Sequence, residues 1–247
     1  MPELNINGYR HNYEDVGEGI PMIWIAGTRF DSARRWVDYM NEHAKGFRMI
    51  MPDIRGMAGS EHIDDCEPQD WVLDLGTLLD ELGIDSVHLA SETLGTRIVT
   101  RFAYENPGRA KSLILNGPIA YSDSDGDEDR IRQADPSNIT PEALARLEHY
   151  HGSGALDVNL FYVKMHAKPE FHSYYDLRSI ATDVSTPTLI LRGDIDEDRH
   201  PVAHANELHR LFPNSWLQVY ANTSFNGMVQ HPQQSWELIR SLIQLAE

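Results

Sequence analysis

The chain has 247 residues, 41% of them apolar, which is enough for one large α/β domain with a substantial core. Its net charge of −17 argues against nucleic acid and anionic membranes as partners, because lysine and arginine are too few to neutralise a run of phosphates. The single cysteine, Cys66, allows no internal disulfide, and the first residues have no secretory-signal pattern, so a cytoplasmic protein is predicted.

Strand and helix patterns alternate along the chain. Amphipathic helices are predicted for DWVLDLGTLLDELG, TRIVTRFAYENP and a final helix that starts near Pro232. Apolar strands separated by such helices indicate a mostly parallel sheet covered on both faces. No apolar run is long enough to cross a bilayer. The predicted strands are IPMIWIAG, FRMIMPD, SVHLA, KSLILNG, TPTLILRG and SWLQVY.

Residues 121–180 interrupt this alternation. They show no strand-like core pattern and contain helix-like pieces rich in His, Tyr and Phe, which predicts an inserted helical cap (lid) over a core formed by 1–120 and 181–247. The insert opens with the acidic run SDSDGDEDR. This run is not a calcium loop, because Glu128 stands where that motif needs glycine, and it is interpreted as a solvated loop.

Five stretches, taken in chain order, resemble the α/β-hydrolase superfamily in its small lid-bearing branch of esterases, lactonases and C–C hydrolases. They are PMIWIAGTRFDSARRW, RMIMPDIRGMAGSE, VHLASETLGTRIVTRFAYENPGRAKSLILNG, TPTLILRGDIDEDRHP and WLQVYANTSFNGMVQHPQQSWELI. The resemblance covers almost everything outside the insert. It implies an α/β-hydrolase fold with a Ser-His-Asp triad, an oxyanion hole and a pocket between core and cap.

At the nucleophile elbow of this family, the pattern G-x-S-x-G places the serine on a strained turn between a strand and a helix. Here the corresponding residues are Ser91-Glu92-Thr93-Leu94-Gly95, so the resemblance puts Thr93 at the nucleophile position. Thr93 keeps a hydroxyl, but a β-branched residue at positive φ is unusual. We expect either strain at Thr93 or a relaxed turn with its hydroxyl swung aside.

The other two triad positions differ in how well they match. The family's acid pattern selects Asp196 in LRGDIDED, although Asp194, Asp196 and Asp198 could simply form an acidic loop. At the base position, alignment on Pro232 places Phe225 where the family has histidine. A phenylalanine cannot accept a proton, so about 10²–10⁴ of rate acceleration would be missing.

The geometry expected from this alignment is specific. The Phe225 ring should lie close to both Thr93 and Asp196 in the space of the missing imidazole. A buried Asp196 would then need replacement donors, such as backbone N–H groups, a hydroxyl, an Arg or a His.

The oxyanion region is also altered, because the family's His-Gly is Ala26-Gly27 here. The resemblance implies the backbone N–H groups of Thr28 and Leu94 as donors, and these survive side-chain substitution. Further pocket candidates are Gly27, Arg29, Glu92, His200 and Asn226.

Twelve histidines offer a possible substitute base. His88 is interpreted as a packed core residue in a strand, and His231 should point away from the pocket. His200 follows the acid loop near the pocket mouth. Four others lie in the insert, where exposed surface positions are the simpler interpretation for most: His149, His151, His166 and His172.

Two classes of function remain open on this sequence. One is an enzyme that acts on a small, partly apolar organic molecule, by hydrolysis with a substitute base or by a non-hydrolytic lyase, decarboxylase or cyclase reaction. The other is a ligand-binding protein on a hydrolase scaffold. The fold alone does not decide between these two classes. Asp196 at the acid position and the resemblance to a superfamily of enzymes slightly favour an enzyme. No cofactor or metal is predicted, and no oligomeric state.

Overall fold

The computed structural model describes residues 2–27, 29–122, 131–132, 135–197 and 200–247. The predicted oxyanion donor Thr28 and most of the acidic run, residues 123–130, lie outside these ranges, as does Asp198.

The predicted mostly parallel sheet is confirmed. Its strand order is β1-β2-β4-β3-β5-β6-β7-β8, with β1, β2 and β4 joined in antiparallel fashion and the pairs from β4 through β3 to β8 parallel. The strands are β1 (Glu3–Ile6), β2 (Tyr9–Val16), β3 (Ile20–Ile25), β4 (Phe47–Pro52), β5 (Val87–Glu92), β6 (Ala110–Asn116), β7 (Thr188–Gly193) and β8 (Ser215–Tyr220).

The helices flank this sheet on both faces. In the described residues they are α1 (Ala33–His43), α2 (Asp70–Glu81), α3 (Leu94–Glu105), α4 (Pro141–His151), α5 (Ala155–His166), α6 (Pro169–Tyr174), α7 (Val202–Leu211), α8 (Gly227–Gln230) and α9 (Pro232–Ala246). Gly83, the predicted stop of α2, has φ 66°. In the ranges that the structure covers, no helix is long and apolar enough to span a membrane.

The hairpin of β1 and β2 was not predicted from the sequence. Asn7 and Gly8 form its turn with φ of 52° and 89°, the left-handed geometry that a two-residue hairpin requires. The Asn-Gly pair between short alternating segments was the available signal.

The described residues between 121 and 180 contain α4, α5, α6 and short 3₁₀ turns, and they contribute no strand to the sheet. Their apolar side chains join the core on the α2 and α3 face. Trp71 of α2 packs edge-on against Phe161 and Phe171, with ring centroids 6.4 and 6.2 Å apart. The insert is therefore packed continuously with the core.

The opposite face of the sheet is covered by α1 and α9. Trp24 of β3 and Trp36 of α1 have ring centroids 4.5 Å apart, and Trp236 of α9 lies 5.7 Å from Phe47. Trp24, Ala90 and Ile114 all point to the face covered by α1 and α9. Side chains alternate between the two faces along a strand, so Glu92, two residues after Ala90 in β5, is on this face as well.

The turn after β4 fixes the start of α1. Asp53 is buried and accepts hydrogen bonds from the Ala33 N–H at 2.7 Å and from Asn12 Nδ2 at 2.7 Å. Ser60 Oγ donates to the Asp53 carbonyl at 2.6 Å. This turn holds the start of α1, and Gly27 and Arg29 lie in the loop that joins β3 to α1.

Candidate functional site

Thr93 lies in a strained turn between β5 and α3. Its φ is 46° and its ψ is −115°, and α3 begins at the next residue, Leu94. The conformation is uncommon for a β-branched residue and costs on the order of 1–3 kcal/mol. Gly95 allows the turn to approach β3, because a Cβ there would lie 2.5 Å from the Ile25 carbonyl oxygen. The chain thus keeps the backbone geometry of an elbow while carrying threonine in it.

The Gly27 carbonyl oxygen accepts two hydrogen bonds from this elbow. Leu94 N–H donates at 3.2 Å and the Thr93 hydroxyl donates at 2.7 Å. A Cβ at position 27 would lie 1.9 Å from Thr93 Oγ1 and 2.4 Å from the Glu92 carbonyl oxygen, so glycine is required there. The hydroxyl and a predicted oxyanion donor are both satisfied by the chain itself.

Phe225 lies flat on His200. The ring centroids are 4.2 Å apart and the planes differ by 13°. On another side the phenyl ring approaches Gly117, where an added Cβ would meet Phe225 Cδ2 at 2.9 Å. The residue aligned with the family's histidine is therefore an aromatic wedge between the acid loop and the end of β6.

Asp196 does not have the predicted buried environment. Its side chain is exposed, and Oδ1 accepts a hydrogen bond from the Val202 N–H at 2.8 Å. Val202 is the first residue of α7, so Asp196 satisfies a free donor at a helix N-terminus, where a carboxylate is also favoured by the helix dipole. The expected backbone partner is present, but the expectation of burial was wrong.

The loop that carries Asp196 is organised by Arg192. This side chain is fully buried at the end of β7, and its Nη2 donates to the carbonyls of Ile195, at 3.1 Å, and His200. Burial lowers the pKa of the guanidinium, with nearby Asp and Glu side chains opposing the shift. Sequence reasoning missed Arg192.

Glu92 takes part in a buried carboxyl pair with Asp31. Each residue is 3% exposed. Burial, and next the adjacent Asp31 carboxyl, raise the pKa of Glu92 well above its ordinary value. Asn226 Nδ2 donates to Glu92 Oε2 at 2.9 Å. Of this cluster the sequence pointed to Glu92 and Asn226 but missed Asp31, for which no motif gave a signal.

The histidines have partners that limit their use as a substitute base. His88 is fully buried with Nδ1 2.9 Å from Ser112 Oγ, and burial together with Lys111 lowers its pKa to about 4. His231 stacks on Tyr220 and lies 2.7 Å from Thr223 Oγ1.

In the insert, His149 is exposed as expected, but His151 and His166 are buried. His166 packs between Tyr162 and Phe171. His172 Nδ1 lies 3.0 Å from Ser122 Oγ. The exposed interpretation was therefore wrong for the two buried histidines.

His151 joins the insert to two loops of the core. Its Nδ1 accepts the Ala58 N–H at 2.9 Å, and its Nε2 donates to the Arg29 carbonyl at 2.5 Å. The first of these bonds requires Nδ1 to be unprotonated. Arg29 is 7% exposed and its Nη1 donates to Asn159 Oδ1 of α5 at 2.5 Å. The loop after β3 is thus held by the elbow on one side and by the insert on the other.

Aromatic rings surround the Arg29 side chain. Its guanidinium carbon lies 4.9 Å from the ring centroid of Phe30 and 5.3 Å from that of Tyr162 in the insert.

Among the residues whose structure is described, no group of three or more His, Cys, Asp or Glu side chains could hold a metal ion.

A sequence model for the alpha/beta hydrolase fold matches residues 19–154, which is more than half of the chain. A similar curated protein is the 2-hydroxymuconate semialdehyde hydrolase of Pseudomonas putida, 25% identical over 99% of this chain and 94% of that protein. The soluble epoxide hydrolase of Corynebacterium sp. (strain C12) is 30% identical, but over only 44% of this chain and 38% of its own length.

Solved structures show the same fold. A meta-cleavage product hydrolase from Pseudomonas fluorescens IP01 superposes with a TM-score of 0.80 at 20% identity, over 100% of this chain and 98% of that one. A thermophilic esterase from Thermogutta terrifontis has a TM-score of 0.79 at 22% identity, over 99% of this chain and 98% of that one. The family-model match and the strand order agree, and the chain belongs to the α/β-hydrolase fold family.

Proposed function

We propose that this protein is an enzyme that binds a small, partly apolar organic molecule between the sheet and the insert, which serves as its cap. In this proposal the reaction does not pass through an acyl group on Thr93, and non-standard residues replace the triad chemistry. The alternatives are a non-hydrolytic lyase, decarboxylase or cyclase reaction, and a binding protein without turnover.

The observation that carries the proposal is that the Gly27 carbonyl oxygen accepts hydrogen bonds from both the Leu94 N–H and the Thr93 hydroxyl. For acyl transfer, Thr93 needs a base to take its proton, and Leu94 N–H must be free to stabilise a developing oxyanion. Phe225 supplies no base, and the loss of one oxyanion donor costs about 10²–10³ in rate. Hydrolysis by the usual route is therefore disfavoured at two independent points.

The place of the ligand is supported by the contacts around Arg29. The cationic side chain lies between core and insert, and the rings of Phe30 and Tyr162 provide flat apolar surface next to it. Ligand pockets combine apolar walls with a few oriented polar groups. Similar proteins include hydrolases of 2-hydroxymuconate semialdehyde and of 2-hydroxy-6-oxo-2,4-heptadienoate. Such dienoates are the first compounds to offer this protein.

The test compares wild type, Thr93→Ala and Thr93→Ser with p-nitrophenyl acetate, p-nitrophenyl butyrate, a small lactone and a 2-hydroxy-6-oxodienoate. We expect slow ester and lactone hydrolysis that changes by no more than about twofold in Thr93→Ala. Consumption of the dienoate should be equally insensitive to this substitution. Intact-protein mass spectrometry should find no acyl adduct. Rapid ester hydrolysis lost in Thr93→Ala, with an adduct on Thr93, would overturn the proposal.

The same measurements separate the alternatives. In ¹⁸O-labelled water, hydrolysis places the label in a newly formed carboxylate group, whereas decarboxylation or cyclisation forms no new labelled carboxylate. Saturable binding of the dienoate without any product would favour the ligand-binding protein. The stacking of Phe225 on His200 is the observation behind that second candidate, because it fills the base position with an inert ring.

A further inference from the structure

We propose that the outer edge of β8 pairs with the same strand of a second copy of this chain, so that two sheets join across a two-fold axis. β8 is the last strand in the sheet order, and among the described residues no strand pairs with its outer side. The proposal goes beyond the proposed function, because it concerns the assembly of the protein and its test measures no turnover.

The backbone groups of β8 point in two directions. Thr188 N–H donates to the Asn214 carbonyl at 3.0 Å, and Asp194 N–H donates to the Tyr220 carbonyl at 3.0 Å. In a parallel pair, alternate residues of one strand direct their N–H and C=O groups at the neighbouring strand. The even-numbered residues of β8 therefore face β7, and three residues direct their backbone groups outward: Ser215, Leu217 and Val219.

One of these outward groups has a side-chain partner. Gln218 Nε2 donates to the Val219 carbonyl at 2.9 Å, in agreement with a carbonyl that is directed away from β7. This bond joins adjacent residues at the surface, so a partner strand can replace it with a backbone donor. Addition of a strand to an exposed sheet edge in this way is a common mode of protein association.

Apolar side chains are exposed on both faces of this edge. Trp216 is 43% exposed and Val219 is 42% exposed. Tyr220 packs in the apolar cluster on the α1 and α9 face, and Leu217 packs against the cluster on the α2 and α3 face. Since side chains alternate along a strand, Trp216 is on the first face and Val219 on the second. A strand placed beside β8 would therefore cover apolar surface on each side.

The opposite edge of the sheet is protected from such pairing. β1 has only four residues, and its exposed Glu3 forms an ion pair with Arg10 at 2.9 Å. Short strands and charged side chains are two devices by which proteins block edge-to-edge pairing. β8 has six residues and no charged side chain, so it lacks both devices.

The absence of charge favours a second copy as the partner. The net charge of −17 makes two copies repel each other over most of their surfaces. Residues 212–236, which include β8, contain no Asp, Glu, Lys or Arg, although 24% of the whole chain is charged. Two copies of an acidic protein can approach each other through such a surface with little repulsion.

The ends of β8 favour the antiparallel orientation. Exposed Arg210 follows His209, whose Nδ1 lies 2.9 Å from Ser215 Oγ at the start of β8. Exposed Asp194 donates its N–H to the Tyr220 carbonyl at the end of β8. Antiparallel pairing places the start of one β8 beside the end of the other, so groups of opposite charge approach each other.

A two-fold axis beside Leu217 uses every outward group. Leu217 then pairs with Leu217 of the second copy, and Ser215 of each copy pairs with Val219 of the other. Hydrogen-bonded pairs in an antiparallel ladder exchange two bonds each, so the three pairs form about six bonds. The contact is self-complementary, as a two-fold interface requires.

The first experiment is sedimentation equilibrium of the full chain from about 1 µM to about 300 µM. The mass of wild type should rise from the 28.1 kDa of one chain towards twice that value. Val219→Pro removes an outward N–H without touching the bonds to β7, and Val219→Glu places a charge in the contact. Each should raise the dissociation constant by about tenfold or more. Leu73→Glu, at a 55% exposed position of α2, is the control and should change it by no more than about twofold.

The second experiment is amide hydrogen exchange at the two ends of this concentration range. The outward amides of Ser215, Leu217 and Val219 should exchange about tenfold more slowly at the high concentration. The amides of Trp216 and Gln218 face β7 and should be protected at both concentrations. This alternation is specific to a strand partner, because a contact through side chains alone would not reproduce it.

Three results would overturn the proposal. One is a wild type that stays monomeric over the whole range. Another is a dimer that Leu73→Glu weakens as much as Val219→Glu does, or that neither variant weakens. The third is a dimer in which the outward amides exchange as fast as in the monomer. Urea unfolding checks that each variant is folded, and if Val219→Pro is not, Val219→Glu and the exchange pattern of wild type decide the matter.

Discussion

The Gly27 carbonyl oxygen lies 3.2 Å from the Leu94 amide nitrogen and accepts its hydrogen bond. An elbow of this kind normally leaves that N–H free at the positive end of a helix, ready for a substrate oxygen. Here the chain supplies the acceptor itself, and the Thr93 hydroxyl donates to the same oxygen. A ligand oxygen can use these donors only when the Gly27 peptide moves away.

Gly27→Ala should destabilise the protein strongly. The new methyl group would lie 2.4 Å from the Glu92 carbonyl oxygen, which is backbone and cannot rotate away, and 1.9 Å from Thr93 Oγ1. Overpacking of this kind costs about 1–3 kcal/mol or more. The free energy of unfolding in urea measures the effect.

Gly76→Ala is the matched control for this substitution. Gly76 lies within α2, and an added Cβ would meet only Phe102 Cε2 at 3.7 Å, an ordinary contact. Alanine is favoured over glycine in a helix by about 1 kcal/mol, so the control should be neutral or stabilising. Equal costs at both positions would contradict the close packing at Gly27.

Phe225→His should not create an esterase. The Thr93 hydroxyl already donates to the Gly27 carbonyl, and Asp196 is exposed and accepts from the Val202 N–H, so neither is available to an imidazole at position 225. We expect hydrolysis of p-nitrophenyl acetate within about twofold of wild type. A gain of about a hundredfold that disappears when Thr93→Ala is added would show that the triad geometry is intact.

The sequence predicted the backbone of the site better than its side-chain contacts. The strained turn at Thr93 follows from the local spacing of the strand, the small residues and the helix, and local spacing can be read directly. Asp31 lies in the loop after β3 and Glu92 is the last residue of β5, so the sequence alone does not bring them together and no local pattern marks them. Asp196 was predicted to be buried because the family pattern was carried over with its environment.

Asp74→Asn should cost about 3–5 kcal/mol, because it leaves a buried guanidinium without its main partner. Asp74 of α2 pairs with Arg55 through both carboxylate oxygens, with His11 at 3.3 Å, and with Asn7 Nδ2 at 2.8 Å. Burial opposes ionisation, but these donors prevail and the pKa of Asp74 lies below its ordinary value.

Asp80→Asn is the control, because Asp80 forms a largely exposed ion pair with Arg109, and it should cost at most about 1 kcal/mol. Urea unfolding at neutral pH compares the free energies of unfolding of the two variants. Similar losses in both would contradict the larger role given to the buried Asp74.

His151 should make the packing of the insert sensitive to mild acid. Burial lowers the pKa of His151, and the nearby His62 lowers it further. The hydrogen bond to the Arg29 carbonyl acts in the opposite direction, but the pKa stays below its ordinary value. Below the ordinary pKa of histidine, the unfolded chain therefore binds a proton that the folded chain does not. As the pH is lowered through this range, the free energy of unfolding decreases by up to about 1.4 kcal/mol per pH unit.

The measurement is the free energy of unfolding from about pH 7.5 down to about pH 5, together with exchange of the Ala58 amide, which donates to His151 Nδ1. His151→Gln keeps an acceptor and a donor but does not titrate, so its stability should fall less steeply than that of wild type. His88 also has a lowered pKa, but it is common to both proteins and cancels in the difference. His149→Gln, exposed on the same helix, should behave as wild type. Identical slopes in wild type and His151→Gln would mean that the insert is not held through this imidazole.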